Sequence, residues 1–246
     1  MSELGLPDTI LACLFDLDGV VTKTAAVHAA AWKETFDAFL RAHEGAGARP
    51  FDAVADYDEY VDGRPRADGV RTFLASRGIH LPEGAPDDPP DARTVHGVGN
   101  RKNELLLAKI RTGGVEAYEG TLRYLEAVRA HGLRTAIVSS SANCRDVLRA
   151  VGAEHFFDVR VDGLVAAERG LPGKPHPDTF LAAARDLGVE AGRAAVFEDA
   201  LAGMDAGRAG RFGYVVGIDR VGQADALYAH GADVVVADLA ELGGKQ

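Results

Sequence analysis

Asp16 and Asp18 stand two residues apart in Phe15-Asp16-Leu17-Asp18-Gly19, directly after the apolar run Ile10-Leu-Ala-Cys-Leu-Phe15. Side chains two apart on an extended segment point the same way. Two carboxylates therefore face one pocket, Leu17 turns into the core, and Gly19 allows a sharp exit. One carboxylate can attack as a nucleophile while the other moves protons. A bare Asp-x-Asp-Gly also suits a solvated turn; the apolar run before it shifts the reading toward a site.

Other chemistry-bearing residues follow similar runs. Ser139 ends the run 134–138 and opens Ser139-Ser140-Ser141-Ala142-Asn143. A hydroxyl and free N–H groups at a helix start suit an anion, and they suit a plain helix cap equally. Glu198 and Asp199 end the run 194–197. Lys174 lies in Gly173-Lys174-Pro175-His176-Pro177, a loop stiffened by its prolines. A lysine there either offsets charge on a phosphoryl group or stands in solvent; His176 reads as structural or exposed. Acids gathered from several strand ends repel one another unless a cation neutralises them. Their hard oxygens suit Mg²⁺, which takes a few carboxylates plus phosphate and keeps several waters.

These residues need a scaffold that brings strand ends together. The runs 10–15, 134–138, 194–197, 213–218 and 233–236 predict short buried strands, with helical patterns between them at 119–131, 142–151, 177–187, 200–209 and 222–230. That alternation predicts an α/β fold with a parallel sheet and right-handed crossovers, and ligands bind outside the carboxyl ends of such strands. Residues 25–110 differ: helical patterns at 25–43, 51–60, 66–77 and 99–110, no strand, and a proline-rich surface loop from Leu81 to Thr94. They read as a helical insertion after the first strand.

Composition removes other classes. At about 150 residues per domain, a chain of 246 residues suits one large domain or one domain with an insertion. With 47% apolar and 26% charged residues the chain is not a disordered one. The net charge of −10, with no basic run, argues against a nucleic-acid partner. Cys13 and Cys144 form neither a disulfide framework nor a metal-binding spacing. No apolar run approaches the roughly 18 residues of a membrane span. The start Met1-Ser2-Glu3 lacks a basic n-region, so no secretory signal is expected. A cytoplasmic, reduced protein with no membrane partner is expected.

Taken in order, Phe15-Asp16-Leu17-Asp18-Gly19, Ser139, Lys174 and Glu198-Asp199 match the four motifs of the haloacid dehalogenase superfamily, which the chain resembles over almost its whole length. The resemblance narrows to the β-phosphoglucomutase branch, where a His and a Trp follow the paired aspartates on the first cap helix. Here they are His28 and Trp32, four apart and on one helix face. Asp62-Gly63-Arg64-Pro65-Arg66 is similar to the branch's substrate-recognition Gly-x-x-Arg. Gly99-Asn100-Arg101-Lys102-Asn103 is similar to its Arg-Lys-Asn helix start, and Ser139-x-Ser141-x-Asn143 also follows it. Lys23 and Asp62 depart from it, where an Asp and a Lys would be expected.

The resemblance implies a fold class: α/β, a Rossmann-like parallel-sheet core over 1–24 and 111–246 with an inserted helical cap domain at 25–110. It implies roles as well. Asp16 is the nucleophile that forms an aspartyl phosphate, and Asp18 is the general acid and base. Mg²⁺ is held by Asp16, the Asp18 backbone carbonyl and Asp199, with Glu198 alongside. Ser139 and Lys174 hold the transferring phosphoryl group. Arg66, with its bidentate fork, grips a distal phosphate, with Ser141 and Asn143 as partners and Gly63 in the same recognition loop. His28 orients Asp18 or couples it to cap closure, Trp32 packs between cap and core or meets substrate, and Lys102 contacts substrate or solvent.

The activity implied is a mutase that converts β-D-glucose 1-phosphate to glucose 6-phosphate through the 1,6-bisphosphate. Two competitors stand beside it: a phosphatase for a sugar phosphate or other small phosphoester on the same scaffold, and a non-catalytic phosphosugar-binding protein. A small sugar phosphate is the expected partner, and a monomer is expected.

Overall fold

Five apolar runs and the short segment 159–161 form a six-stranded, wholly parallel sheet in the computed structural model, which describes residues 3–242. The strands are β1 (Ala12–Phe15), β2 (Arg134–Val138), β3 (Val159–Val161), β4 (Ala194–Glu198), β5 (Tyr214–Ile218) and β6 (Val234–Val236), in the order β3-β2-β1-β4-β5-β6. This is the parallel α/β sheet that the alternation predicts, and the Rossmann-like core that the resemblance implies. The β3 strand was not anticipated. Val-Arg-Val is three residues long and carries a charge, so it lacks the apolar run that marks its neighbours. Sequence order reverses around β1, which lies between β2 and β4, and such a switch point opens a crevice at the carboxyl ends.

Two compact units make up the chain. One holds residues up to Lys23 and from Val115 onward, the other Thr24–Gly114. The outermost residues of the expected core segments, 1–2 and 243–246, lie outside the described residues. The sheet belongs to the first unit, with α5 (Glu119–Ala130), α6 (Cys144–Ala150), α7 (Gly163–Arg169), α8 (Asp178–Asp186), α9 (Leu201–Ala209) and α10 (Ala224–Ala229). One face of the sheet packs Leu14, Val138 and Val196 against Phe180 and Met204. On the other, Phe15 and Phe197 stack with ring centroids 4.3 Å apart, with Tyr124 against both. The core β-strands are buried along nearly their whole length, as parallel strands covered on both faces must be.

The second unit is helical: α1 (Ala25–Glu44), α2 (Ala55–Tyr60), α3 (Arg66–Ser76) and α4 (Val95–Gly113). Its own core gathers Phe36, Phe51, Phe73, Leu40 and Val70. The α4 helix starts four residues before the predicted 99, because the Thr94 hydroxyl accepts from the Gly97 N–H at 3.0 Å and caps it. The proline-rich stretch before it has no helix or strand, yet it is pinned: Asn100 Nδ2 donates to the carbonyls of Pro86 and Asp88 at 3.0 and 2.8 Å. No helix among the described residues is long and apolar enough to cross a membrane.

Candidate active site

Register brings the chemistry together. Phe15 pairs with Ile137 on β2 and with Phe197 on β4, so Asp16, Ser139 and Glu198 emerge at nearly one level of the sheet. The Asp16 N–H donates to the Phe197 carbonyl at 2.9 Å, which carries the β1–β4 ladder one residue further. Asp16, Ser139, Lys174, Glu198 and Asp199 are all buried, and Asp18 is half-buried.

Lys174 is the hub. Its Nζ donates to Asp16 Oδ1 at 2.5 Å, to Glu198 Oε1, and to the Val138 carbonyl at 3.2 Å. Burial opposes a charged ammonium, but Asp16 and Glu198 overcome it and hold the Lys174 pKa above that of an ordinary lysine. Burial pushes the Asp16 carboxyl up, while Lys174 pulls against that and the carboxylates of Glu198 and Asp18 add to it. His176, two residues on, is exposed.

Glu198 commits both oxygens. Oε1 accepts from Lys174, and Oε2 accepts from the N–H groups of Asp199 and Ala200, each at 2.9 Å. It therefore anchors the loop that presents Asp199. Carboxylate oxygens of Asp16, Glu198 and Asp199 lie within 4.8 Å of one another, a buried donor set that could bind a metal ion. Two glycines let these groups approach. At Gly19, with φ +90°, a Cβ would sit 1.6 Å from Asp199 Oδ2. At Gly203 on α9 a Cβ would sit 1.9 Å from Glu198 Oε1.

Ser139 Oγ accepts from the Ser141 N–H, and Ser141 Oγ from the Asn143 N–H, both at 3.1 Å. These bonds shape the turn into α6, whose N-cap is Asn143. Ser139, Ser141 and Asn143 thus share one turn at the carboxyl end of β2. Lys23 pairs with Glu116 at 2.8 Å where the chain leaves and re-enters this unit.

The helical unit gathers the remaining candidates in two places. His28 Nδ1 lies 3.0 Å from Lys102 Nζ, and Lys102, only 4% exposed, sits 4.9 Å from the centre of the Trp32 ring. Trp32 stacks on Phe36 with centroids 4.9 Å apart and belongs to this unit's own interior. Gly63, with φ +70°, turns the chain between α2 and α3, and the Asp62 carboxylate accepts from its N–H at 3.1 Å. Arg66 opens α3 and lies along Gly99 of α4, where a Cβ would be 3.3 Å from its Cγ.

Arg220 and Gln223 carry no motif, yet both reach the acidic loops. Arg220 Nε donates to the Gly19 carbonyl at 2.7 Å, and Gln223 Nε2 to the Asp199 carbonyl at 3.1 Å. The one sequence signal for them is position, since they follow β5 at the same edge of the sheet.

Comparison with known proteins finds relatives along nearly the whole chain. The family model described as haloacid dehalogenase-like hydrolase matches residues 10–211. A β-phosphoglucomutase of Mycobacterium bovis is 57% identical over 245 residues, which cover 97% of this chain and 94% of that protein. An uncharacterized glycosyl hydrolase of Mycobacterium tuberculosis is 38% identical over 233 residues, 94% of this chain but 17% of the larger protein. Among solved structures, a β-phosphoglucomutase from Clostridium difficile superposes with a TM-score of 0.74 at 26% identity, covering 95% of this chain and 93% of its own.

Proposed function

The chain belongs to the haloacid dehalogenase-like hydrolase family, in its β-phosphoglucomutase-like branch, and from that premise we propose that it interconverts β-D-glucose 1-phosphate and glucose 6-phosphate through an aspartyl phosphate at Asp16. One observation carries the chemistry: a buried carboxylate at the end of the central strand, held by a buried ammonium and flanked by a second carboxylate loop.

In the proposed reaction an Asp16 oxygen attacks the phosphorus of a sugar phosphate. The phosphorus–oxygen bond to the sugar breaks, and the sugar oxygen takes its proton from Asp18. In return, a sugar hydroxyl gives its proton to Asp18 and attacks the phosphorus, and the bond to Asp16 breaks. Phosphorylated Asp16 donates to the 6-hydroxyl of β-glucose 1-phosphate to give the 1,6-bisphosphate. After the sugar turns over, the 1-phosphate returns to Asp16 and glucose 6-phosphate leaves. A positioned acid and base contributes roughly 10²–10⁴-fold.

Phosphoryl transfer is mainly positioning and charge stabilisation. Lys174 and the turn of Ser139 receive the phosphoryl oxygens. Mg²⁺ fits a donor set made of hard oxygens; Asp16 and Asp199 with the Asp18 carbonyl would hold it, and it would offset the repulsion between carboxylate and phosphate. Glu198, with both oxygens committed, acts through Lys174 and the Asp199 loop. A bisphosphate needs a second grip, and that role is assigned to Arg66; Ser141 and Asn143 are assigned to substrate as well. His28 and Lys102 serve the sugar's approach, and Trp32 seats Lys102.

The test is ³¹P NMR of the protein with Mg²⁺, β-glucose 1-phosphate and a trace of the 1,6-bisphosphate. Growth of glucose 6-phosphate with little free phosphate supports the mutase. Growth of inorganic phosphate alone overturns it in favour of a phosphatase, and an unchanged spectrum overturns both.

A further inference from the structure

The loop after β5 holds the backbone of both acidic loops. Asp219 Oδ1 accepts from the N–H groups of Val221, Gly222 and Gln223 at 3.2, 2.7 and 2.8 Å. This tight turn fixes the origins of two side chains. Gln223 reaches the Asp199 carbonyl at 3.1 Å. Arg220 reaches the Gly19 carbonyl through Nε and the Ala237 carbonyl through Nη1, both at 2.7 Å.

Arg220 also touches the returning chain. Its guanidinium carbon lies 3.5 Å from the centre of the Tyr118 ring, close for a cation over an aromatic face. The Tyr118 N–H donates to the Val21 carbonyl at 3.0 Å, and Thr22 bridges to both Asp18 and Ala117. One guanidinium thus joins the loop of Asp16 and Asp18 to the segment by which the chain re-enters the sheet unit. Nη1 also lies 3.8 Å from Asp238 Oδ2.

We propose that Arg220 is a positioning residue for the acid–base group Asp18. By fixing the Gly19 carbonyl while resting on Tyr118, it sets the backbone on which Asp18 stands, and Gln223 does the same for Asp199. The inference rests on the phosphoryl transfer at Asp16 proposed above. Misplacing a reacting group by an ångström costs on the order of 100-fold in rate, so the effect belongs in kcat.

The experiment compares wild type with Arg220→Met, Arg220→Lys, Tyr118→Phe and Tyr118→Leu. It reads kcat and KM for β-glucose 1-phosphate, the rate of p-nitrophenyl phosphate hydrolysis, and Tm. Arg220→Met should lose roughly 10- to 100-fold in kcat with KM within about threefold. Arg220→Lys, which keeps a donor for Gly19, should recover part of the loss and guards against a variant that fails to fold. Tyr118→Phe keeps the ring and should match wild type. Tyr118→Leu should lose kcat, and combining it with Arg220→Met should add little, as expected for two residues acting as one unit. Arg220→Met with wild-type kcat on both substrates and a lowered Tm would make Arg220 purely structural and overturn the inference. Wild type without turnover on either substrate would instead overturn the underlying reading.

Discussion

The ammonium of Lys174 and the carboxylate of Glu198 meet with neither side chain exposed to solvent. Two charges taken out of water are tolerated only while each has a partner, and removing one partner of such a pair costs about 3–5 kcal/mol. Lys174→Met should therefore do more than slow turnover. It leaves Asp16 and Glu198 facing each other at the end of the central strands without a cation, and urea unfolding should show a loss of about 3–5 kcal/mol. Glu198→Gln keeps an acceptor and should cost less. A Lys174→Met protein as stable as wild type would mean that the pair does not hold the strand ends.

The acidic loops lead to a prediction about metal. Asp16 and Asp199 bring carboxylate oxygens within the 4.8 Å cluster, and the glycine at 19 leaves no side chain between the two loops. A ligand that binds only the folded state raises its stability by mass action. Mg²⁺ at about 5 mM should raise Tm relative to EDTA, and chelation should abolish turnover reversibly. Asp199→Asn should remove most of the Tm shift. A shift that survives this substitution would place the cation elsewhere.

The residues that were legible are those whose chemistry follows an apolar run. Asp16, Ser139 and Glu198-Asp199 each end a buried strand, so a linear pattern of six or fewer residues announces both element and position. Lys174 was legible only through its place in the order of the four motifs, since its proline-flanked loop alone also suits a lysine in solvent. The β3 strand was not, because an edge strand of three residues with a central arginine makes no run. Arg220 was not, because its partner is a backbone carbonyl 201 positions away. Trp32 shows the limit differently. Its spacing from His28 placed both on one face of α1, but only packing reveals that the ring lies inside the helical unit, on Phe36 and beneath Lys102.

In the proposed reaction Arg66 is the residue that would separate a mutase from a phosphatase. A bisphosphate must be held at the end that is not reacting, and a planar guanidinium donates two parallel bonds to phosphate. Arg66→Ala should lower formation of glucose 6-phosphate by about 100-fold, the loss expected when a positioning contact goes. Hydrolysis of p-nitrophenyl phosphate, which has no second phosphate, should stay within about threefold. Equal losses on both substrates would remove the distal-phosphate role. Gly99→Ala should mimic it weakly, since the added methyl would press on the Arg66 side chain.

The helical unit carries a pH-dependent strain of its own at Asp58 in α2. Burial pushes this carboxyl up to about 6, and the neighbouring Asp52 adds repulsion. Unfolded, an aspartate titrates near 4. Below about pH 4 both states are protonated and Asp58 makes no difference. Between about 4 and about 6 the folded chain keeps a proton that the unfolded chain has released, so stability falls as pH rises, and above about 6 the penalty is complete. Asp58 is half-buried, so solvent screening reduces its size. Asp58→Asn removes the charge at every pH. It should match wild type in Tm near pH 4 and exceed it near pH 8, with the gap opening through the window set by the two pKa values. A Tm difference that stays constant across that range would show that the Asp58 carboxylate is not destabilised by its surroundings.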